Sequence, residues 1–417
     1  MLRAQRRQLQ LLRRGRDFRA LFLAALASGL GTWLAVIALT VDVFDRTHSA
    51  TWVSALLIAD FLPAVVIGLT AGPLVDRLSR RGLMLGADLA RALVFAALPF
   101  ADTPGQIVGL AAVAGFATGV FRPAVFAGLP NLVDEPDLPG ANALLRLVET
   151  MTMTVGTLLG GIAAAASGPH LAYWLNAASF LLSFALVAGI ASDRFQSEPS
   201  DSRGHLSDMQ EGFATVRRSP ALLTVFVVWN LVLFPSGAVN VAEVELAKVS
   251  FDAGSLGFGL LWTATGIGQA LGSLFAPSWL ERRGMRTVYA GAVALMGFGA
   301  LGAAGSPDVW VALWCVALSG AGNGAAHVYN VLLVQRGAPD RVRGRAFTVI
   351  MSATFAAFGV GMIVGGPLTD AVGPRWVYAG AGVLTTGAAA AGALLTRRIR
   401  AAIDAAEPEA RPASAVG

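Results

Sequence analysis

The chain has 417 residues, 55% of them hydrophobic and 14% charged. Soluble globular proteins carry about 25% charged residues, so this composition excludes an ordinary soluble domain and points to the bilayer. The formal net charge of +5 does not signal nucleic acid, because the basic residues flank apolar runs and the membrane surface accounts for them.

The basic stretch from Arg3 to Arg19 leads into the first apolar run. That run is too long for a signal-peptide core, and no small-residue cleavage site follows it, so the stretch reads as an uncleaved cytoplasmic segment. A membrane helix needs about 20 apolar residues. Twelve segments qualify, near 19–43, 52–73, 83–100, 106–128, 141–166, 171–191, 221–243, 255–279, 287–305, 309–333, 346–369 and 376–396. Basic residues orient them, because cytoplasmic loops collect arginine and lysine. With the N-terminus inside, the cytoplasmic segments hold Arg77, Arg80, Arg81, Arg217, Arg218, Arg282, Arg283, Arg286, Arg343, Arg345, Arg397 and Arg398, among others. The outer loops hold only Arg46, Lys248 and Arg375. Both termini are therefore expected in the cytoplasm.

Between the sixth and seventh spans, 192–220 is polar and carries Leu206, Met209, Phe213 and Val216 at helical spacing. It reads either as a helix lying on the membrane interface or on a bundle base, or as a plain linker. It separates 1–191 from 221–398, six spans each. The tail 399–417, rich in Ala, Glu and Pro, is expected to be disordered. The halves look like a repeat: Arg80-Arg81-Gly82 recurs as Arg282-Arg283-Gly284, and the glycines Gly156, Gly160 and Gly161 recur as Gly361, Gly365 and Gly366. Aligned on the two Arg-Arg-Gly stretches without gaps, Asp76 falls on Ser278 and Arg77 on Trp279, so the second loop looks degraded. The expectation is an all-α integral membrane protein, twelve transmembrane helices in two six-helix bundles, with a site near the midplane between them.

Ionisable residues inside spans are expensive and need a reason. Asp60 lies about nine residues into span two, roughly 14 Å deep, with Leu56, Leu57, Pro63 and Ala64 as its helical neighbours. A lone carboxyl there can bind and release a proton, or it can hydrogen-bond to another helix. Asp88 and Arg91 on span three, and Arg146 and Glu149 on span five, are i,i+3 pairs able to neutralise each other. With Arg122 on span four they are expected to form a charge network that locks one conformation. Glu149 shares a helix face with Gly156 and Gly160, so it should face protein, and it is a second candidate for the coupling proton. The G-x-x-x-G pairs Gly156/Gly160, Gly361/Gly365 and Gly268/Gly272 permit close helix packing. Asn323, His327 and Asn330 form one polar stripe on span ten; the asparagines are candidates for the substrate cavity and the histidine for proton relay. Glu243 and Glu245, near the outer end of span seven, read as a solvated rim. Cys315 is the only cysteine, so no intramolecular disulfide is possible. Walker-type phosphate loops, H-E-x-x-H helices and G-x-S-x-G elbows are absent, so no enzyme, cofactor or metal is implied.

The loop 71–83 runs AGPLVDRLSRRGL between two apolar segments. It resembles the signature loop of the major facilitator superfamily, G-x-L-x-D-R-x-x-R-R, at Gly72, Leu74, Asp76, Arg77, Arg80 and Arg81. Phe121-Arg122-Pro123-Ala124, Leu129-Pro130-Asn131-Leu132-Val133, Ala141-Asn142 and Arg343-Gly344-Arg345 resemble the twelve-span exporter branch that includes macrolide efflux proteins and the enterobactin exporter. The resemblance implies a proton-driven exporter of amphipathic small molecules. It also implies that Gly72, Asp76, Arg77, Arg80 and Arg81 form a latch on the cytoplasmic side. Span five resembles the antiporter motif of drug exporters, but Thr157 stands in place of its proline. The span-four arginine of many drug antiporters is missing, since Gly115 precedes Gly119.

The sequence thus predicts a proton-coupled antiporter of hydrophobic or amphipathic small molecules in a bacterial cytoplasmic membrane. Its expected partners are the small-molecule cargo, protons and lipid, and it is expected to be a monomer. A siderophore or lipid exporter of the same fold, or a non-transporting membrane sensor, are the alternatives.

Overall fold

The computed structural model describes residues 11–12, 15–70, 79–191, 205–283, 285–338 and 340–406. Among them are thirteen long helices and no strand. The first six are α1 (Arg16–Thr47), α2 (Ala50–Thr70), α3 (Arg80–Ala97), α4 (Pro104–Gly128), α5 (Leu138–Ser167) and α6 (Pro169–Ala188). Then come α7 (His205–Arg218), α8 (Pro220–Glu245), α9 (Gly254–Arg283), α10 (Met285–Gly305), α11 (Val309–Gly337), α12 (Asp340–Val372) and α13 (Pro374–Ala406). Local chemistry sets several ends. Thr103 and Gln106 form a capping box at the start of α4, and Asp308 accepts from the Val311 amide to start α11. The turns before α6 and α13 are both Gly-Pro, with Gly168 and Gly373 at φ 71° and 84°. Only glycine adopts that conformation without strain, and proline suits the first helical turn.

Eleven of these helices are long and apolar enough to cross a membrane. α9 falls short because glycines, Thr263, Thr265 and Gln269 dilute its apolar residues. It is packed between α11 and α5, and it still exposes Ile267, Leu271, Leu274 and Phe275. α7 is a helix seated on the base of the second bundle. Val216 is 2% exposed in that bundle's core, Gly212 abuts the backbone of Arg345, and Glu211 pairs with Arg345. Phe213 stays exposed, edge-on to Phe226. The side chains of Leu206 and Met209 lie outside the described residues. The tail expected to be disordered from 399 remains helical through Ala406.

The helices form two bundles with one packing scheme. In the first, α1 packs on α5 and α6, α2 on α4, and α3 on α4 and α6. In the second, α8 packs on α12 and α13, α9 on α11, and α10 on α11 and α13. The bundles meet where α2 packs on α12 and α5 on α9.

Glycine contacts fix the register of this repeat. A Cβ on Gly115 or Gly119 of α4 would strike the carbonyl oxygens of Asp60 or Ala64, at 2.1 and 2.8 Å. One on Gly320 or Gly324 of α11 would strike those of Thr265 or Gln269, at 2.3 and 2.0 Å. This register also matches Gly168-Pro169 with Gly373-Pro374, and it differs by three residues from the gapless alignment on Arg-Arg-Gly. It sets Asp76 opposite Glu281 and Arg77 opposite Arg282. The second loop therefore keeps an acid followed by an arginine, while Gly72, Leu74 and Arg80 fall on Pro277, Trp279 and Met285, so the motif is kept in part.

The backbone contacts between α9 and α11 leave no room for a side chain. A Cβ on Gly272 would lie 1.9 Å from the Ala321 carbonyl oxygen, whereas nothing lies within 4 Å of one on Gly291. Gly272→Ala is expected to destabilise the second bundle by about 1–3 kcal/mol. Thermal unfolding in detergent should show a lower midpoint for it and no loss for Gly291→Ala.

Candidate transport site

The described hydrogen bonds and ring contacts between bundles run from the middle of the helices to the face opposite the α6–α8 connection, here the far face. At mid-depth Trp33 lies against Trp262, and Phe61 against Phe355 and Phe358, with centroids 5.5–6.0 Å apart. Above them, Thr157 and Thr263 share a 3.3 Å hydrogen bond, and Ser54 donates to the Met362 carbonyl at 2.6 Å. At the far face itself, Asp370 accepts from the start of α2 and Lys248 pairs with Asp45. In the near half, Arg122 and Arg146 are exposed and Glu149 between them is partly exposed.

The glycine triplets build this seam. A Cβ on Gly156 or Gly160 would run into α1 at Leu30, Trp33 and Leu34, and one on Gly361 or Gly365 into α8 at Phe234 and Ala238. The third glycine of each triplet faces the other bundle instead. Gly161 would meet Gly259 of α9 at 3.0 Å, and Gly366 would meet Ser54 of α2 at 2.7 Å. Two glycines thus hold each helix to its own bundle, while the third leaves the seam smooth.

Asp60 lies on α2, one residue before Phe61 of the seam, and faces the interior of its own bundle. It lines a cavity of about 30 Å³ with Thr32, Thr40, Arg91, Thr118 and Phe180. One ordered water needs roughly 10–15 Å³, so the cavity has room for water beside the carboxyl. The three threonine hydroxyls donate to carbonyls of their own helices, which leaves their lone pairs as acceptors. Arg91 is fixed: it bonds Asp88 at 2.6 Å, and its guanidinium lies 4.3 Å from the ring centroids of both Phe121 and Phe180. Ser183 donates to the other Asp88 oxygen at 2.7 Å. Both members of this ion pair are buried.

The expected charge network is therefore two separate sites. Asp88 and Arg91 are sealed inside the first bundle. Glu149 bridges Arg122 at 2.8 Å and Arg146 at 3.3 Å on the exposed near side. The polar stripe of α11 also divides. Asn323 accepts from Gln269, and His327 is exposed beside Trp229. Asn330 is turned into the second bundle, where it accepts from Tyr289 at 2.8 Å. It is 6% exposed, so it does not line the cavity expected of it.

Of the loop residues, Gly72, Asp76 and Arg77 lie outside the described residues. Arg80 donates to the Ala127 carbonyl at 2.7 Å and Arg81 to that of Ala188 at 2.5 Å. Both arginines satisfy helix C-termini, where a cation also meets the negative end of the helix dipole. Glu243, expected on a solvated rim, is 7% exposed and lies within electrostatic reach of the buried Tyr378. The end of α8 continues as a π-turn over Leu246–Ser250, so Glu243 lies before the end of the helical segment rather than at its rim. No group of three or more potential metal ligands occurs among the described residues.

A profile of the family described as transmembrane secretion effector matches residues 12–414. The multidrug efflux pump Tap of Mycolicibacterium fortuitum is 29% identical, covering 84% of this chain and 88% of Tap. The uncharacterised transporter YfiS of Bacillus subtilis is 27% identical, covering 86% and 88%. The enterobactin exporter EntS of Salmonella typhimurium is 28% identical, covering 81% and 82%. Among solved structures, the nucleoside transporter NupG superposes with a TM-score of 0.72 at 14% identity, over 91% of this chain and 99% of that one. A bacterial homologue of the iron transporter ferroportin, in an inward-facing state, gives 0.63 at 18% identity, over 93% and 99%.

The buried ion pair yields a stability prediction. Arg91→Met leaves the Asp88 carboxylate alone in a buried site, which costs about 3–5 kcal/mol. Removing both charges in Asp88→Asn/Arg91→Met should recover much of that loss. Thermal unfolding of the two variants against the parent protein checks the order.

Proposed function

The chain belongs to the transmembrane secretion effector family of the major facilitator superfamily, and from that premise we propose a proton-coupled exporter of hydrophobic or amphipathic small molecules. It would work by alternating access as a monomer in a bacterial cytoplasmic membrane, with both termini inside. The observation that carries this reading is the seam. Two bundles of like packing touch through aromatic and glycine contacts from mid-depth to the far face, while the charged side chains of Arg122, Glu149 and Arg146 stand at least partly exposed in the near half. Such a seam suits bundles that rock about the midplane.

The direction of transport rests on the relatives, whose names describe a multidrug efflux pump and an enterobactin exporter. Arginine clustering on the near face supports its cytoplasmic orientation. The ring contacts at mid-depth would form an apolar roof for apolar cargo. Export of a siderophore is the second reading, favoured by the likeness to the enterobactin exporter. Asp60 leads the candidates for the coupling proton because it faces a cavity with room for water, ahead of Glu149 and His327. The gradient's electrical part would supply about 2.3 kcal/mol per charge per 100 mV.

In everted vesicles, macrolides, tetracyclines, siderophores and lysolipids would be added in turn while proton efflux is followed. A response to one class identifies the cargo and establishes antiport. Asp60→Asn should then lose uphill export by at least tenfold, with the protein still folded. Undiminished export against a gradient would remove Asp60 from the role.

A further inference from the structure

We propose that Asp370 is the residue that holds the far face shut, by capping a helix of the opposite bundle. Asp370 lies in the last turn of α12, and both its carboxylate oxygens are engaged by the first residues of α2. Oδ1 accepts from the Ala50 amide at 2.6 Å. Oδ2 accepts from the Thr51 amide at 3.1 Å, the Thr51 hydroxyl at 2.6 Å and the Ser49 hydroxyl at 2.9 Å. The first amides of a helix lack partners within it, and they form the positive end of the helix dipole. A carboxylate at that point makes charge-assisted hydrogen bonds, about twice as strong as neutral ones. The acceptor here belongs to the other half of the molecule.

Ser49 makes this contact reversible. It precedes α2, where a serine ordinarily caps the helix by accepting from a backbone amide. Here its hydroxyl donates to Asp370 instead. When the bundles part at the far face, Ser49 can turn back to cap α2 and water can take the remaining amides. The donors exchange one partner for another, so neither state leaves them unsatisfied. A contact of this kind biases two conformations without locking either.

The same helix carries the rest of the seam. Ser54 sits one turn on and bonds Met362, Gly366 lies against Ser54 and Thr51, and Phe61 meets Phe355 and Phe358 two turns deeper. Asp370 therefore fixes the position at which these contacts engage. The other end of α2 leads into the loop 71–83. In the repeat register Ala165 stands where Asp370 does, so the α5–α9 side of the seam has no equivalent carboxylate.

The test is a distance measurement without cargo. Spin labels are placed at Asp102→Cys in the α3–α4 loop and Pro307→Cys in the α10–α11 loop, both on the far face, in a Cys315→Ser background in lipid nanodiscs. The parent should be dominated by the shorter distance. In Asp370→Asn and Asp370→Ala the ratio of short to long populations should fall about tenfold. Asp370→Glu should restore part of it, and Ser49→Ala/Thr51→Val should produce a smaller shift in the same direction. Unchanged distributions in both Asp370→Asn and Asp370→Ala overturn the proposal, as does a loss of thermal stability with no change in distribution. A parent dominated by the longer distance overturns it too. The proposal rests on the alternating-access reading only in that the halves must part. Failure here leaves export intact, and silence in the vesicle assay leaves the distance result standing.

Discussion

Backbone-to-backbone contact at glycine is the constraint on which this structure depends. Helices packed through ordinary side chains sit 8–10 Å apart, and glycine removes the side chain that enforces that spacing. In lipid the hydrophobic effect does not drive helices together, so close packing and hydrogen bonding must do so. Here α2 meets α4, α9 meets α11 and α1 meets α5 along such lines, each contact able to exclude a single Cβ. Because these lines leave no room for a side chain, each bundle is packed as one body. Because the third glycine of each triplet faces across the seam, the two bodies touch without interlocking.

On this symmetric frame the charges are asymmetric. In the repeat register Asp60 corresponds to Thr265, Asp88 to Val293 and Arg91 to Met296. Thr118 and Arg122 correspond to Asn323 and His327, so the polar stripe of α11 is the counterpart of one on α4. The second bundle keeps the geometry but has lost the buried ion pair. A buried ion pair is costly in a bundle core, and among the described residues the pair lies in the first bundle, while the second buries the single carboxyl of Glu243 near its far end. The far ends preserve a related motif. Tyr173 donates to Asp42 at 2.8 Å in the first half, and the matching Tyr378 lies near Glu243 in the second.

Much of this was legible in the sequence, and the boundary of legibility is physical. Apolar length locates the spans, since the bilayer sets that length. The i,i+3 spacing of Asp88 and Arg91, and of Arg146 and Glu149, anticipates bonds that helix geometry alone permits. What depends on helix rotation was not legible. Asn330 shares a stripe with Asn323, yet a small rotation about the helix separates the Gln269 side from Tyr289. Glu243 lies near the end of a span, and its burial close to Tyr378 of another helix depends on packing that the sequence does not display. The repeat register was misread because Arg-Arg-Gly is a match of only three residues, whereas glycine contacts in packed helices tolerate no shift.

Contacts between the halves were the least visible, because no periodicity connects residues so distant in sequence. Asp370 and Ser49 each look like ordinary loop-end residues beside a membrane span. Only the superposition of two bundles makes one the cap of the other's helix. That distinction separates two kinds of polar residue in this chain. Asp88, Arg91 and Asp42 satisfy partners within one bundle and stay satisfied however the bundles move. Asp370, Lys248 and Ser54 find partners only across the seam. The first kind contributes to the stability of each body, and under the proposed alternating access the second would set the free energy between conformations. A transporter needs the first to be large and the second small, which is why solvated residues with exchangeable partners such as Ser49 and Thr51 occupy the seam's outer edge while the sealed ion pair lies in the core.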